Sequence, residues 1–106
     1  MNATVYYLTW DETEERDEEY WRKENIRRGQ KAPVDLESYR EVLTLEDVDG
    51  LADAWRRLNR RTPGGYDRRL DKLEERSMCK GDLIVTGDGA YLARGIGFEK
   101  LDLKTA

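Results

Sequence analysis

The chain has no histidine and a single cysteine, Cys79, in its 106 residues. Without imidazole, histidine-based acid–base catalysis, Cys–His nucleophile pairs and His-ligated metal sites are excluded. One cysteine closes no internal disulfide and suits a reducing compartment. Long apolar runs are missing as well. None approaches the ~20 residues of a membrane-spanning helix, and no stretch has the layout of a signal peptide. The expectation is a cytoplasmic protein.

What the chain does have is charge. Charged residues make up 40% and apolar residues 38%, against roughly 25% charge in an average domain. Three Trp, six Tyr and clear strand-like runs argue for a folded core rather than disorder. The length fits a single domain, residues 1–106, with one modest core. The net charge of −4 conceals an asymmetry: the half up to Gly50 is strongly acidic, and the second half carries a modest excess of Arg and Lys. Total charge therefore leaves open both an acidic, DNA-mimicking face and a basic, nucleic-acid-binding one.

Residues 4–10 are β-branched and aromatic and read as a strand. Thr9 with Glu12 fits a capping box for a helix over residues 12–28. That helix opens on seven acids, Asp11, Glu12, Glu14, Glu15, Asp17, Glu18 and Glu19. It closes on Arg22, Lys23, Arg27 and Arg28 and stops near Gly29. Acid first and base last complements the helix dipole. Its apolar residues, Tyr20, Trp21 and Ile26, make one narrow stripe.

Residues 29–33 read as a linker. Residues 39–45 alternate imperfectly and read as a second strand, with Tyr39, Val42 or Leu43, and Leu45 facing the core. A helix is expected over residues 48–60, burying Leu51, Trp55 and Leu58 at helical spacing. Thr62, Pro63, Gly64 and Gly65 break the chain. A short helix is expected over residues 67–76, with Leu70 and Leu73 inward. A strand at residues 82–86, a type I′ turn at Asp88-Gly89 with positive φ at Gly89, and a return strand at residues 90–94 form a hairpin. Phe98, Leu101 and Leu103 offer a final segment, and residues 104–106 should fray. Leu51, Trp55, Leu58, Leu83, Ile84, Val85 and Phe98 are expected to share one core. The fold class is α+β: a small mixed or antiparallel sheet with a C-terminal hairpin and two main helices packed on it.

The most specific stretch is Ser77-Met78-Cys79-Lys80-Gly81-Asp82, followed by a short strand, Tyr91 on the return strand, and Gly97-Phe98. Before it come a strand and helix, a Tyr-centred strand from Tyr39, then Leu58-Asn59 and Pro63. In this order the chain resembles YodL-like domains, small domains of bacteria, their phages and conjugative elements. Cys79 stands where the pattern usually has a second Ser, and residues 64–75 are longer than the usual connection. The resemblance implies a mobile-element setting, among anti-restriction and other counter-defence functions. It implies no enzyme and carries no catalytic residues.

Three features are candidate sites. Ser77 to Asp82 reads first as a fold-defining turn, with Ser77 capping backbone, Gly81 in a conformation closed to other residues and Asp82 bonding local N–H groups. Cys79 within it is expected to be buried and inert, and the later glycines belong to hairpin and bulge geometry rather than a phosphate loop. Arg56 with Arg60, and Arg57 with Arg61, are i,i+4 pairs, followed by Arg68 and Arg69. They offer guanidinium forks for phosphates, or simply a solvated helix face. The acidic run, with Glu15, Glu18 and Glu19 beside Tyr20 and Trp21, offers a partner-binding face or a solvated first turn. The leading expectation is a non-enzymatic interaction protein of a phage or other mobile element, an inhibitor binding a host protein with a basic surface. The alternative is a small nucleic-acid-binding module using the Arg surface. No metal or cofactor is expected.

Overall fold

A computed structural model describes residues 1–9, 18–28, 34, 36–61, 65–94 and 97–101, with the backbone alone at 18 and 19. Five strands, β1 (Ala3–Leu8), β2 (Tyr39–Leu45), β3 (Leu83–Thr86), β4 (Gly89–Ala93) and β5 (Phe98–Leu101), form one sheet in the order β2-β1-β3-β4-β5. Every pairing is antiparallel. The helices are α1 (Glu18–Arg27), α2 (Leu51–Arg57) and the single turn α3 (Arg69–Lys72). The α+β class and the C-terminal hairpin are as the sequence implies.

Strand β1 lies between β2 and β3, and an apolar cluster on each face of the sheet buries its side chains. Val5 and Tyr7 belong to one apolar cluster, and Leu8 belongs to the other. Strand β2 explains its own imperfect alternation. Opposite β1 the register slips between Val5, which faces Leu43, and Tyr6, which faces Glu41. Val42 is the extra residue of this bulge. One extra residue reverses the facing of everything beyond it. Leu43 and Leu45 therefore join Val5 and Tyr7, whereas Tyr39 joins Leu8.

The expected single core is in fact two, one on each face of the sheet. On one face Val5, Tyr7, Leu43, Leu45 and Ile84 meet Val48, Ala54 and Leu58 around α2, with Leu70 of α3 and Met78. Leu51, Trp55 and Phe98 pack against its edge. On the other face Leu8, Tyr39, Leu83 and Leu92 meet Ile26 of α1. Leu83 and Ile84 part company because neighbouring strand residues point to opposite faces. Val85 is only half-buried.

Several local expectations need correction. Helix α2 is shorter than residues 48–60, and Trp55 is half-buried rather than enclosed. The helix expected over 67–76 is one turn, and Leu73 stands outward at 49% exposure. The turn ends because Glu74 takes φ 55°, while Glu75 N–H donates to the Leu70 carbonyl and Glu74 N–H to that of Asp71. That is a Schellman closure, with glutamate in the place glycine usually fills. In the β3–β4 hairpin Thr86 pairs Gly89, so Gly87-Asp88 is the two-residue loop. Neither loop residue has positive φ; Gly89, the first residue of β4, does, at 150°. The turn is therefore not type I′. On α1, Ile26 is buried and Tyr20 half-buried, but Trp21 is 47% exposed. Lys23 and Glu24 are the buried polar residues of that helix. The Glu12 end of the capping box, the 29–33 linker, Pro63 and the end of the chain from residue 102 lie outside the described residues.

Candidate functional site

The stretch from Arg76 to Asp82 crosses from α3 to β3 and is pinned at both ends. Asp82, at 1% exposure, is its anchor. One carboxylate oxygen accepts from the Leu8 N–H of β1 at 2.9 Å and from Arg76 Nη2 at 2.9 Å. The other accepts from Arg76 Nη1 at 2.6 Å and from the Cys79 N–H at 2.8 Å. A buried carboxylate needs this many donors to offset its lost hydration. Ser77 Oγ accepts from the Arg60 N–H, tying the stretch to the turn that follows α2. Gly81 holds φ 93°, and its carbonyl accepts from the Tyr39 hydroxyl at 2.7 Å. The fold-defining role expected of Ser77, Gly81 and Asp82 is thus visible bond by bond.

Sequence reasoning missed the partners of this anchor. The Arg76 guanidinium lies 4.2 Å over the Tyr7 ring. The Tyr7 hydroxyl donates to the Arg76 carbonyl at 3.0 Å. Burial, and then the negative charge of Asp82, push both the Tyr7 and Tyr39 hydroxyls well above the usual tyrosine range. Burial opposes the charge on Arg76, but the Asp82 hydrogen bonds and the Asp82 negative charge together outweigh it and hold the guanidinium above its ordinary range. Arg40 and Glu75 form a further ion pair at the rim. The one signal in the sequence was an arginine immediately ahead of the Ser77 turn.

Cys79 is exposed, contrary to expectation. The turn buries the neighbouring Met78 instead, at 4% exposure. The thiol lines an open cleft of about 590 Å³ with Leu8, Tyr20, Glu24, Arg27, Arg76, Lys80 and Asp82. Glu24 accepts from Arg27 and Arg28 at 2.6 and 2.8 Å, and the Arg27 hydrogen bonds hold its carboxyl below the usual range.

Of the expected partner-binding residues, Tyr20 and Trp21 are described. Their rings meet edge to face, with centroids 5.2 Å apart. Glu18 and Glu19 begin α1, while Glu15 and the side chains of Glu18 and Glu19 lie outside the described residues.

The arginine surface is largely engaged. Asp53 receives Arg56 and Arg57, and Arg57 also donates to the Glu46 and Asp47 carbonyls. Arg60 pairs Asp71 at 3.0 Å, and Arg69 pairs Asp67 at 2.7 Å while reaching the Thr44 carbonyl. Backbone and arginine donors hold Asp53 below the usual carboxylate range. Arg61 and Arg68 are exposed and have no ion-pair partner among the described residues. Four of the six candidate phosphate ligands thus already hold carboxylates.

Among the described residues no group of His, Cys, Asp or Glu is placed to hold a metal ion, and no helix is long and apolar enough to cross a membrane. Comparison with protein-family models, curated proteins and solved structures finds no match to this chain.

Proposed function

We propose that the chain is a non-enzymatic interaction protein that binds a host protein through the α1 face. The observation that carries this reading is Trp21. A tryptophan 47% exposed, braced edge to face by Tyr20, sits on the helix that follows the acidic run. Tryptophan and tyrosine dominate the energetics of protein interfaces because they bury much area at little entropic cost. The acids before them suit a partner with a basic surface, drawn in by long-range attraction. The resemblance to YodL-like domains adds the setting: a phage or other mobile element whose product acts in the cytoplasm on a host component, one of its defences. The arginine surface supports nucleic-acid binding less well, since most of its guanidinium groups are committed to Asp53, Asp67 and Asp71.

The test is co-purification from the native host, then a binding titration of the protein recovered. Trp21→Ala should weaken that complex by about 2 kcal/mol, roughly thirtyfold, as truncating an aromatic anchor does. Its unfolding should match the parent's. Recovery of nucleic acid in place of protein, or a Trp21→Ala variant that binds like the parent, would overturn the reading.

A further inference from the structure

We infer that the cleft between α1 and the Arg76–Asp82 stretch is a binding site for small organic anions with an apolar body. Its volume of about 590 Å³ lies in the range of small-molecule sites, which are mainly apolar with a few placed polar groups. Leu8 and Tyr20 supply apolar surface, and Arg27, Arg76 and Lys80 supply charge.

The charge balance selects the ligand. Two carboxylates line the cleft, and both are occupied. Asp82 accepts four donors, and Glu24 accepts Arg27 and Arg28. Lys80 is exposed and has no ion-pair partner among the described residues. Among the described lining residues three cations, Arg27, Arg76 and Lys80, stand against the carboxylates of Glu24 and Asp82; Arg27 pairs Glu24, Arg76 pairs Asp82, and Lys80 is left over. A concave site with an uncompensated positive charge favours a ligand of the opposite sign. The C-terminal end of α1 works against an anion here, so the attraction rests on the side chain of Lys80.

The wall is also built to stay in place. Gly81 at φ 93° lets the stretch lie against α1, and a Cβ there would stand 3.3 Å from the Arg27 Cα. Asp82 fixes the same stretch to β1. This site differs from the proposed protein-binding face in ligand and chemistry, and it stands or falls separately.

Cys79 is the sole cysteine and lines the cleft, so its reaction with a disulfide reads this site alone. The anionic aromatic disulfide 5,5′-dithiobis(2-nitrobenzoate) and the neutral 4,4′-dithiodipyridine provide the comparison. The rate with the anionic reagent should saturate with concentration, while that with the neutral reagent should stay linear. Naphthalene-2-sulfonate should slow the anionic reaction competitively, and neutral 2-naphthol should not. Lys80→Glu should raise the half-saturating concentration of the anionic reagent at least roughly tenfold, whereas the dithiodipyridine rate should stay linear in concentration and fall only by the factor that the smaller thiolate fraction imposes. A linear rate with both reagents, or equal protection by 2-naphthol and the sulfonate, would overturn the assignment.

Discussion

Arg76 grips Asp82 with two parallel hydrogen bonds, Nη1 to Oδ2 at 2.6 Å and Nη2 to Oδ1 at 2.9 Å. The Asp82 side chain is at 1% exposure, whereas that of Arg76 keeps 39%. The pair joins parts of the fold distant in sequence. Asp82 reaches β1 through Leu8 N–H and β4 through the Ala93 N–H on its own carbonyl, and Arg76 covers Tyr7. Planar two-point contact of this kind fixes orientation as well as distance.

Removing one partner should therefore be costly. Asp82→Asn strands Arg76 and weakens four hydrogen bonds at once. We expect a loss of about 3 kcal/mol, the low end for breaking a buried pair, since Arg76 still meets solvent. The Asp82→Asn, Arg76→Met double variant should lose less than the sum of the two single changes, because the residues share one network. Urea unfolding of the four proteins measures the coupling. Strict additivity would mean the pair does not act as a unit.

The buried hydroxyls make alkaline stability a second readout. In the unfolded chain Tyr7 and Tyr39 ionise near 10; in the fold burial and Asp82 keep both protonated to higher pH. Above pH 10 the unfolded state then holds fewer protons than the folded one. Stability present below that pH is lost as pH rises, by about 1.4 kcal/mol per pH unit for each tyrosine. Tyr7→Phe should remove one such increment from the slope between pH 10 and 11.5. It should also cost about 1 kcal/mol at neutral pH through its lost bond to the Arg76 carbonyl. Urea midpoints across that range test both, and an unchanged slope would refute the assignment.

The two-sided core gives a third test. Leu58 and Leu83 are both fully buried, but in clusters on opposite faces of the sheet. Each Leu→Ala change should cost about 2–5 kcal/mol. Together they should add within about 0.5 kcal/mol, since they belong to separate clusters. A coupling well above that, by equilibrium unfolding, would return both to a single core.

What was legible in the chain tracked patterns that are local. Strand β1 carries β-branched and aromatic residues, and Leu51, Trp55 and Leu58 keep helical spacing, so both elements were placed. The bulge at Val42 was visible only as a broken alternation, because its register depends on β1. The Glu74 closure of α3 was invisible, since glutamate carries no signal for positive φ, and Leu73 was misplaced with it. The Asp88-Gly89 signal was real but shifted by one residue: strand pairing placed the loop at Gly87-Asp88 and left the positive φ to Gly89. The Asp82 anchor could be read from its motif. Its partners Tyr7, Tyr39 and Leu8 could not, because they are brought to it only when β1, β2 and β3 pair.

The acidic run makes the sharpest demand on the proposed function. Seven acids lie between Asp11 and Glu19, more than capping or the dipole of α1 requires. If they draw in a basic partner, their contribution lies in encounter rather than in the docked contact. Charge reversal of Glu15, Glu18 and Glu19 to Lys should therefore slow association far more than it speeds dissociation. The loss should shrink as ionic strength rises, because a Debye length of about 8 Å at physiological salt screens attraction between exposed charges. Trp21→Ala should do the opposite, speeding dissociation while leaving the salt dependence alone, since a desolvated aromatic contact holds the complex once formed. Stopped-flow association with the recovered partner, at low and high salt, separates the two. A charge-reversed protein that associates as fast as the parent at low salt would leave the acidic run without a role in binding.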